Sequence, residues 1–320
     1  MLNVFFAGTP ECAVPALRAI AEKHNIVGVL TNPPSAVGRA KTLVPSPVAL
    51  AVQTLKQQEI LSPDTPICTP EKLNEPFRNS VSVLRPDIMV CFAFGKIFGP
   101  KTLSLFPKRA LNIHPSLLPR WRGPSPVPAA IAAGDTITGI TIQYMAAQMD
   151  CGDIILQEQV PIMPIDTTES LLARCAQLSS SLILQALDAI EHNTVHCITQ
   201  DDTAATYCKL IQKEDGLICW AHTAADIDRK IRAYTPWPGA FTHWRGTKLL
   251  IKQAHPYQGQ QNDMLNKVGC AIGIDPKQGI LIQTGKGILA VTMLQRQTKK
   301  VMHWKDFLNG AAGFIGEFME

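Results

Sequence analysis

The chain has 320 residues, a mass of 34.9 kDa and a formal net charge of +4, with 46% hydrophobic and 18% charged residues. This is about twice a common domain length of roughly 100 to 200 residues, so two domains are expected, and the composition excludes wholesale disorder. No apolar run approaches the ~18 residues that cross a bilayer, and the opening Met1-Leu-Asn-Val4 has no basic lead or long apolar stretch, so the expectation is a cytoplasmic chain without membrane span or secretory signal.

The nine cysteines are scattered among mostly apolar neighbours and read as reduced core thiols. No C-x-x-C pair, H-E-x-x-H or Cys/His cluster occurs, so no metal site is expected and the chemistry is cofactor-free or uses an organic co-substrate. Charge is uneven. Residues 1–205 carry 15 Lys and Arg against 17 Asp and Glu, and residues 206–320 carry 15 against 9. A basic C-terminal third is the footprint of a module that meets a polyanion, although an ordinary solvated surface reads the same on charge alone.

In chain order, residues 3–7 form a short apolar strand closed by Gly8, followed by a helix with Val14, Leu17 and Ala21 on one face and a strand over 26–31. Helices are expected over 48–56 and 71–79, and strands over 88–92, 110–113, 139–145 and 154–163. Continuous apolar strands separated by helices predict an α/β fold with a doubly wound, Rossmann-like parallel sheet. Asp166 and Glu169 read as a capping pair for a long amphipathic helix reaching Ile190, and the polar stretch from about 192 reads as a linker. This places the first domain at 1–205 and the second at 206–320. In the second, a helix over 223–234 stops at Pro236-Trp-Pro-Gly239, and five short strands over 241–244, 249–253, 268–274, 279–284 and 288–294 predict a small OB-like β-barrel.

The first βα turn has Gly8 but lacks the further glycines of a dinucleotide fingerprint, which weighs against a nicotinamide or flavin enzyme. Asn112 and His114 lie two apart at a strand end, so both side chains project from one face. Together they offer an amide donor and a group that titrates near neutrality, suited to an oxyanion and its proton. Asp150, in the turn Asp150-Cys-Gly-Asp153, is placed to orient His114 and, as a neighbouring carboxylate, to raise its pKa. The stretch 32–47, with four prolines and the cations Arg39 and Lys41, is long for a connection and suits contact with a phosphate backbone; a plain surface loop is the alternative.

Asn112-x-His114-x-Ser116-Leu-Leu-Pro119 followed by Asp150-x-Gly152 resembles the 10-formyltetrahydrofolate-dependent formyltransferase superfamily. Four further segments resemble its branch that acts on aminoacyl-tRNA: Phe6-Ala-Gly-Thr-Pro-Glu11, the loop from Val37 to Pro47, Pro119-Arg-Trp-Arg-Gly123, and Ile231-Arg-Ala-Tyr-Thr-Pro-Trp-Pro-Gly239. The resemblance implies transfer of a formyl group from 10-formyltetrahydrofolate to initiator methionyl-tRNA, by a Rossmann-like catalytic domain and an OB-like tRNA-binding domain in a monomer. It assigns Asn112, His114 and Asp150 to catalysis and Ser116, Leu117, Leu118 and Pro119 to the folate site. Phe92, Ala93, Phe94, Gly95, Lys96 and Ile97 would line the pterin pocket, largely through backbone, and Arg39 and Lys41 would meet tRNA. The chain departs from the pattern at Ala40 and Thr42, where Gly and Lys are commoner, and at Thr235, where Asn is commoner. A small amine acceptor, such as glycinamide ribonucleotide or an amino sugar nucleotide, is the competing reading. An RNA-binding protein that has lost catalysis is another.

Overall fold

The computed structural model describes residues 1–37, 41–106, 109–259 and 267–320. They divide into two compact units: Met1–Pro126 with Ile137–Pro161 and Leu172–Lys209, and Val127–Thr136 with Ile162–Leu171 and Leu210–Glu320. The polar stretch from 192, expected as a linker, packs within the first unit as far as Lys209.

The elements to the end of the long helix are β1 (Asn3–Gly8), α1 (Val14–Lys23), β2 (Asn25–Leu30), β3 (Ser35–Val37), β4 (Thr42–Val44), α2 (Pro47–Gln57), β5 (Ile67–Cys68), α3 (Glu75–Val83), β6 (Ile88–Phe92), α4 (Pro100–Leu103), β7 (Ala110–His114), α5 (Pro126–Ala133), β8 (Ile137–Tyr144), β9 (Ile154–Pro161) and α6 (Thr168–Glu191). Local chemistry fixes several boundaries. Ser46 caps α2 by accepting from the Ala49 amide, with Pro47 in the first turn, where a missing N–H costs nothing. Asn74 does the same for α3 through the Phe77 amide, with a proline in the first turn, so α3 begins at Glu75 instead of near Glu71. The cap of α6 is the reciprocal pair Thr167 and Ser170, each hydroxyl accepting from the other's amide, in place of the expected Asp166 and Glu169.

Seven strands form one sheet in the order β5-β2-β1-β6-β7-β8-β9. The first five are parallel, and every residue of β6 is buried, as expected for a strand covered on both faces. β8 and β9 join antiparallel, which makes the sheet mixed rather than wholly parallel. The connection over 145–153 is too short for the crossover of roughly a dozen residues that parallel neighbours require. Strand order reverses around β1, which has β2 on one side and β6 on the other, and the carboxyl ends beyond that point are Gly8, Phe92 and His114. Open α/β sheets bind ligands at this position.

The second unit carries α7 (Ala224–Ala233), β10 (Phe241–Trp244), β11 (Thr247–Pro256), β12 (Ala271–Asp275), β13 (Gly279–Gln283), β14 (Ile288–Arg296), β15 (Met302–His303) and α8 (Trp304–Asn309). Its strands are antiparallel in the order β10-β11-β14-β13-β12, with β15 on β14. The expected OB-like barrel is thus a curled sheet whose edges, β10 and β12, do not pair directly. The final residues join them: Glu320 exchanges backbone hydrogen bonds with His243 of β10, while Glu317 and Gly316 bond to Ala271 of β12. Three residue steps of chain span at most about 11 Å, so the two edges face each other across a narrow gap. Trp220, Trp244, Trp304, Phe307 and Phe314 fill the core beneath.

Candidate active site

β6 and β7 pair in parallel with Cys91 opposite Asn112, so the segment after β6 begins beside the end of β7. Asn112 and His114, two residues apart on β7, both reach one carboxylate. The Asn112 amide donates to Asp150 Oδ1 at 3.2 Å, and His114 Nδ1 lies 3.6 Å from the same oxygen. The structure brings the three predicted residues together, 38 positions apart in sequence for Asn112 and Asp150.

Asp150 is held on a left-handed backbone, φ 56°, a conformation that aspartate tolerates better than most residues. Its Oδ1 also accepts from the Gln143 amide at 3.0 Å, and its Oδ2 accepts from the backbone N–H of Gly123 at 2.8 Å. Gly123 sits at φ 115°, and a Cβ there would lie 2.2 Å from the Cys208 carbonyl oxygen, so this close approach of backbone requires glycine. Gly152 within the turn is constrained by space: a Cβ would fall 1.8 Å from the Tyr144 carbonyl oxygen.

His114 is buried, and its Nε2 stands 2.9 Å from the Trp121 carbonyl oxygen. A carbonyl can only accept, so Nε2 carries the proton. Trp121 has φ 62°, strained for a bulky residue, and this aims its carbonyl at the ring while its amide donates to the Thr206 hydroxyl. Burial pushes the His114 pKa below its ordinary value, against the opposing effects of Asp150 and the Trp121 carbonyl. The sequence-based expectation of a raised pKa is therefore corrected. The Asp150 oxygens already accept three N–H donors, and 3.6 Å to Nδ1 is beyond hydrogen-bond range. Burial pushes the nearby Cys91 thiol up to about 12, which favours its protonated form.

The residues expected to line a pterin pocket follow β6. Phe92 and Phe94 are buried, Phe94 stacks on Phe98 at 5.4 Å, and Lys96 donates to the carbonyls of Pro70 and Glu71. Ala93 (φ 53°) and Gly95 (φ 84°) are exposed, with open space where a Gly95 side chain would be, and Ile97 is exposed. Ser116 and Leu118 point inward. Ser116 donates to the Arg120 carbonyl, Thr141 donates to the Ser116 carbonyl, and the Leu118 carbonyl accepts from Gln157. Leu117 packs against Gly139, and the Pro119 carbonyl accepts from the Thr206 amide. Lys41 is exposed at the turn of the β3–β4 hairpin, with φ 50°, and Arg39 lies outside the described residues.

Sequence reasoning missed Gln143, Gln200 and Arg122, which surround Asp150 from behind. A glutamine inside the apolar strand Ile140-Thr-Ile-Gln143 was a signal; Gln200, in a polar stretch taken as linker, gave none. Among the described residues no group of three or more His, Cys, Asp or Glu is placed to hold a metal ion, and no helix is long and apolar enough to cross a membrane.

A family model described as "Formyl transferase" matches residues 2–187, and one described as "Formyl transferase, C-terminal domain" matches 210–312, so the chain belongs to the formyl transferase family. Curated relatives are similar along its whole length. The methionyl-tRNA formyltransferase of Treponema denticola is 51% identical over 316 residues, covering 98% of each chain. That of Treponema pallidum (strain Nichols) is 48% identical over 311 residues, covering 97% of each, and that of Borrelia hermsii is 36% identical over 317 residues, covering 99% of each. Among solved structures, an N-formyltransferase from Helicobacter canadensis in complex with folinic acid and dTDP-3-aminofucose superposes with a TM-score of 0.64 at 19% identity, over 91% of this chain and 99% of that one. HypX from Aquifex aeolicus with tetrahydrofolic acid gives 0.63 at 16% identity; it covers 99% of this chain, which spans 48% of HypX. These two likenesses concern the fold.

Proposed function

We propose that this formyltransferase moves the formyl group of 10-formyltetrahydrofolate to the free α-amino group of initiator methionyl-tRNA, giving N-formylmethionyl-tRNA for translation initiation. The observation that carries this reading is the convergence of Asn112 and His114 on one Asp150 oxygen, in a chain similar from end to end to methionyl-tRNA formyltransferases.

The neutral amine attacks the formyl carbon, so a carbon–nitrogen bond forms and the formyl oxygen becomes anionic. Collapse breaks the bond to the folate N10, and the proton of the attacking nitrogen ends on N10. Asn112 gives one N–H to Asp150, and an amide nitrogen carries two, so the second serves the oxyanion. His114 Nε2–H is the other donor once it leaves the Trp121 carbonyl. A neutral imidazole keeps that hydrogen, so donation does not require a protonated ring. Asp150 fixes the amide, faces the ring, and favours positive charge on the attacking nitrogen.

In this reading the exposed Ala93 and Gly95 meet the pterin ring through backbone, and Ser116 to Pro119 complete the folate site. Residues 1–205 then serve as the catalytic domain and the basic residues 206–320 as the tRNA-binding domain, with Arg39 and Lys41 contacting tRNA phosphates. The enzyme acts as a monomer in the cytoplasm. Incubation with formyl-folate, a mixed aminoacyl-tRNA pool and an amino sugar nucleotide tests the acceptor: formyl on methionyl-tRNA alone is expected. Formyl on an amino sugar nucleotide, with every aminoacyl-tRNA untouched, would refute the reading.

A further inference from the structure

The polar network behind Asp150 extends well past the groups that meet substrate. Gln143, which donates to Asp150 Oδ1 at 3.0 Å, accepts through its own Oε1 from Gln200 Nε2 at 3.2 Å. The same Gln200 nitrogen donates to the backbone carbonyls of Asp150 at 2.8 Å and Gly152 at 2.7 Å. Gln200 Oε1 in turn accepts from Arg122 Nε at 3.0 Å. One orientation of this amide suits all four contacts: its oxygen accepts from Arg122, and its two hydrogens serve three acceptors, one hydrogen being shared. Flipped, its nitrogen would face the Arg122 donor and its oxygen would face two carbonyls.

Arg122 is 1% exposed, Gln143 1% and Gln200 9%, so water does not compete for these bonds. In such surroundings successive hydrogen bonds polarise one another. The donors run in one direction, from the Arg122 guanidinium through Gln200 and Gln143 to the Asp150 carboxylate. Arg122 is anchored at its far side by Asp202 at 2.8 Å and by the Tyr207 hydroxyl at 3.2 Å. Gln200 therefore grips Asp150 twice, at its backbone directly and at its carboxylate through Gln143.

We propose that Gln200 is a positioning residue for formyl transfer, which sets the Asp150 turn and the direction of its carboxylate and through them the Asn112 amide and the His114 ring. The inference rests on the assignment of Asp150 to catalysis. It explains why a glutamine from a remote polar segment is buried here with its amide fully engaged.

The test is a double-variant cycle in the full-length enzyme, with Gln200→Ala, Asp150→Asn and the two combined, read by single-turnover formylation over hours so that slow variants remain measurable. Thermal unfolding checks folding. Gln200→Ala is expected to lower the chemical rate by about 30-fold, within the loss that about an ångström of misplacement produces, with the KM for formyl-folate within about threefold of wild type. Gln200→Glu, whose carboxylate oxygen meets two carbonyls, should be no better. On the Asp150→Asn background, Gln200→Ala should cost under about threefold more, because its effect passes through the missing carboxylate.

An equal ~30-fold loss on both backgrounds would make Gln200 an independent structural residue, and a Gln200→Ala enzyme within about twofold of wild type would leave it no role; either overturns the proposal. If Gln200→Ala does not fold, Gln200→Asn, which keeps the amide on a shorter stem, runs the same cycle with the same criteria. An Asp150→Asn enzyme at the wild-type rate would refute the catalytic reading itself, a result distinct from an impaired Asp150→Asn enzyme with additive losses.

Discussion

A buried imidazole that holds its Nε2 hydrogen against a carbonyl is a neutral group, and this has consequences at two levels of measurement. His114→Ala should lower the chemical step by about a hundredfold, the common scale for losing an oxyanion donor or acid–base group, while formyl-folate still binds. Stability also depends on this residue. Because the folded protein lowers the His114 pKa below 6.5, the unfolded chain binds the proton more readily, so stability falls as pH drops. The contribution is complete above 6.5 and is lost below it, down through the lowered folded value. His24, lowered chiefly by burial, acts in the same direction and remains in any His114 variant. Chemical denaturation of wild type and His114→Gln between pH 7.5 and 5 should therefore give a shallower decline in the variant; equal slopes would mean that His114 is not held neutral. Sequence alone put Asn112 and His114 on one face of β7 because the period of two along a strand is a local property, and the structure has both near Asp150. It misjudged the charge of His114, because the burial that outweighs the effect of Asp150 depends on packing that no local pattern encodes.

Elements were legible where a run of residues decides its own fate. The apolar stretch 88–92 is β6, and Pro236-Trp-Pro-Gly239 ends α7 just after Ala233. The direction of β8 and β9 and the capping of α6 were less legible, since each depends on a specific partner rather than on a pattern. The turn carrying Asp150 shows how closely such partners fit. Gly152→Ala would place a methyl group against the Tyr144 carbonyl oxygen, an atom of backbone that cannot swing aside. The expected cost is about 1–3 kcal/mol in stability together with reduced activity, since the displaced turn carries Asp150. A Gly152→Ala enzyme with unchanged melting temperature and rate would show that the turn is looser than this packing implies. In the second unit the closing segment is the decisive element. Deleting residues 317–320 removes the backbone bonds of Glu317, Met319 and Glu320 and the buried Met319 side chain. This should destabilise the unit by about 3 kcal/mol or more, counted from hydrogen bonds and one buried side chain. An unaltered unfolding midpoint would mean that the sheet holds its curl unaided.

At the scale of the whole molecule, uneven charge gives the proposed division of tasks its test. Residues 206–320 hold 15 Lys and Arg against 9 Asp and Glu, and this excess should appear as a salt-dependent affinity for tRNA, because neutralised phosphates release counterions. Arg39→Ala with Lys41→Ala should weaken tRNA binding and reduce the slope of log affinity against log salt by about one or two, with formyl-folate affinity unchanged. An equal loss of folate affinity would put these cations at the folate site instead. Charge asymmetry was open to reading from composition, whereas the hydrogen-bonded path joining Arg122 to Gln200 across 78 positions was not. The catalytic account itself converges on one carboxylate. The most direct measurement is the single-turnover rate of Asp150→Asn with formyl-folate and methionyl-tRNA both saturating, on protein shown to be folded and to bind formyl-folate. A loss of at least about a hundredfold is expected, because a neutral amide has one acceptor oxygen for N–H donors that now meet two, and it faces His114 without a charge. Formylation at the wild-type rate would show that Asp150 does not organise the reaction.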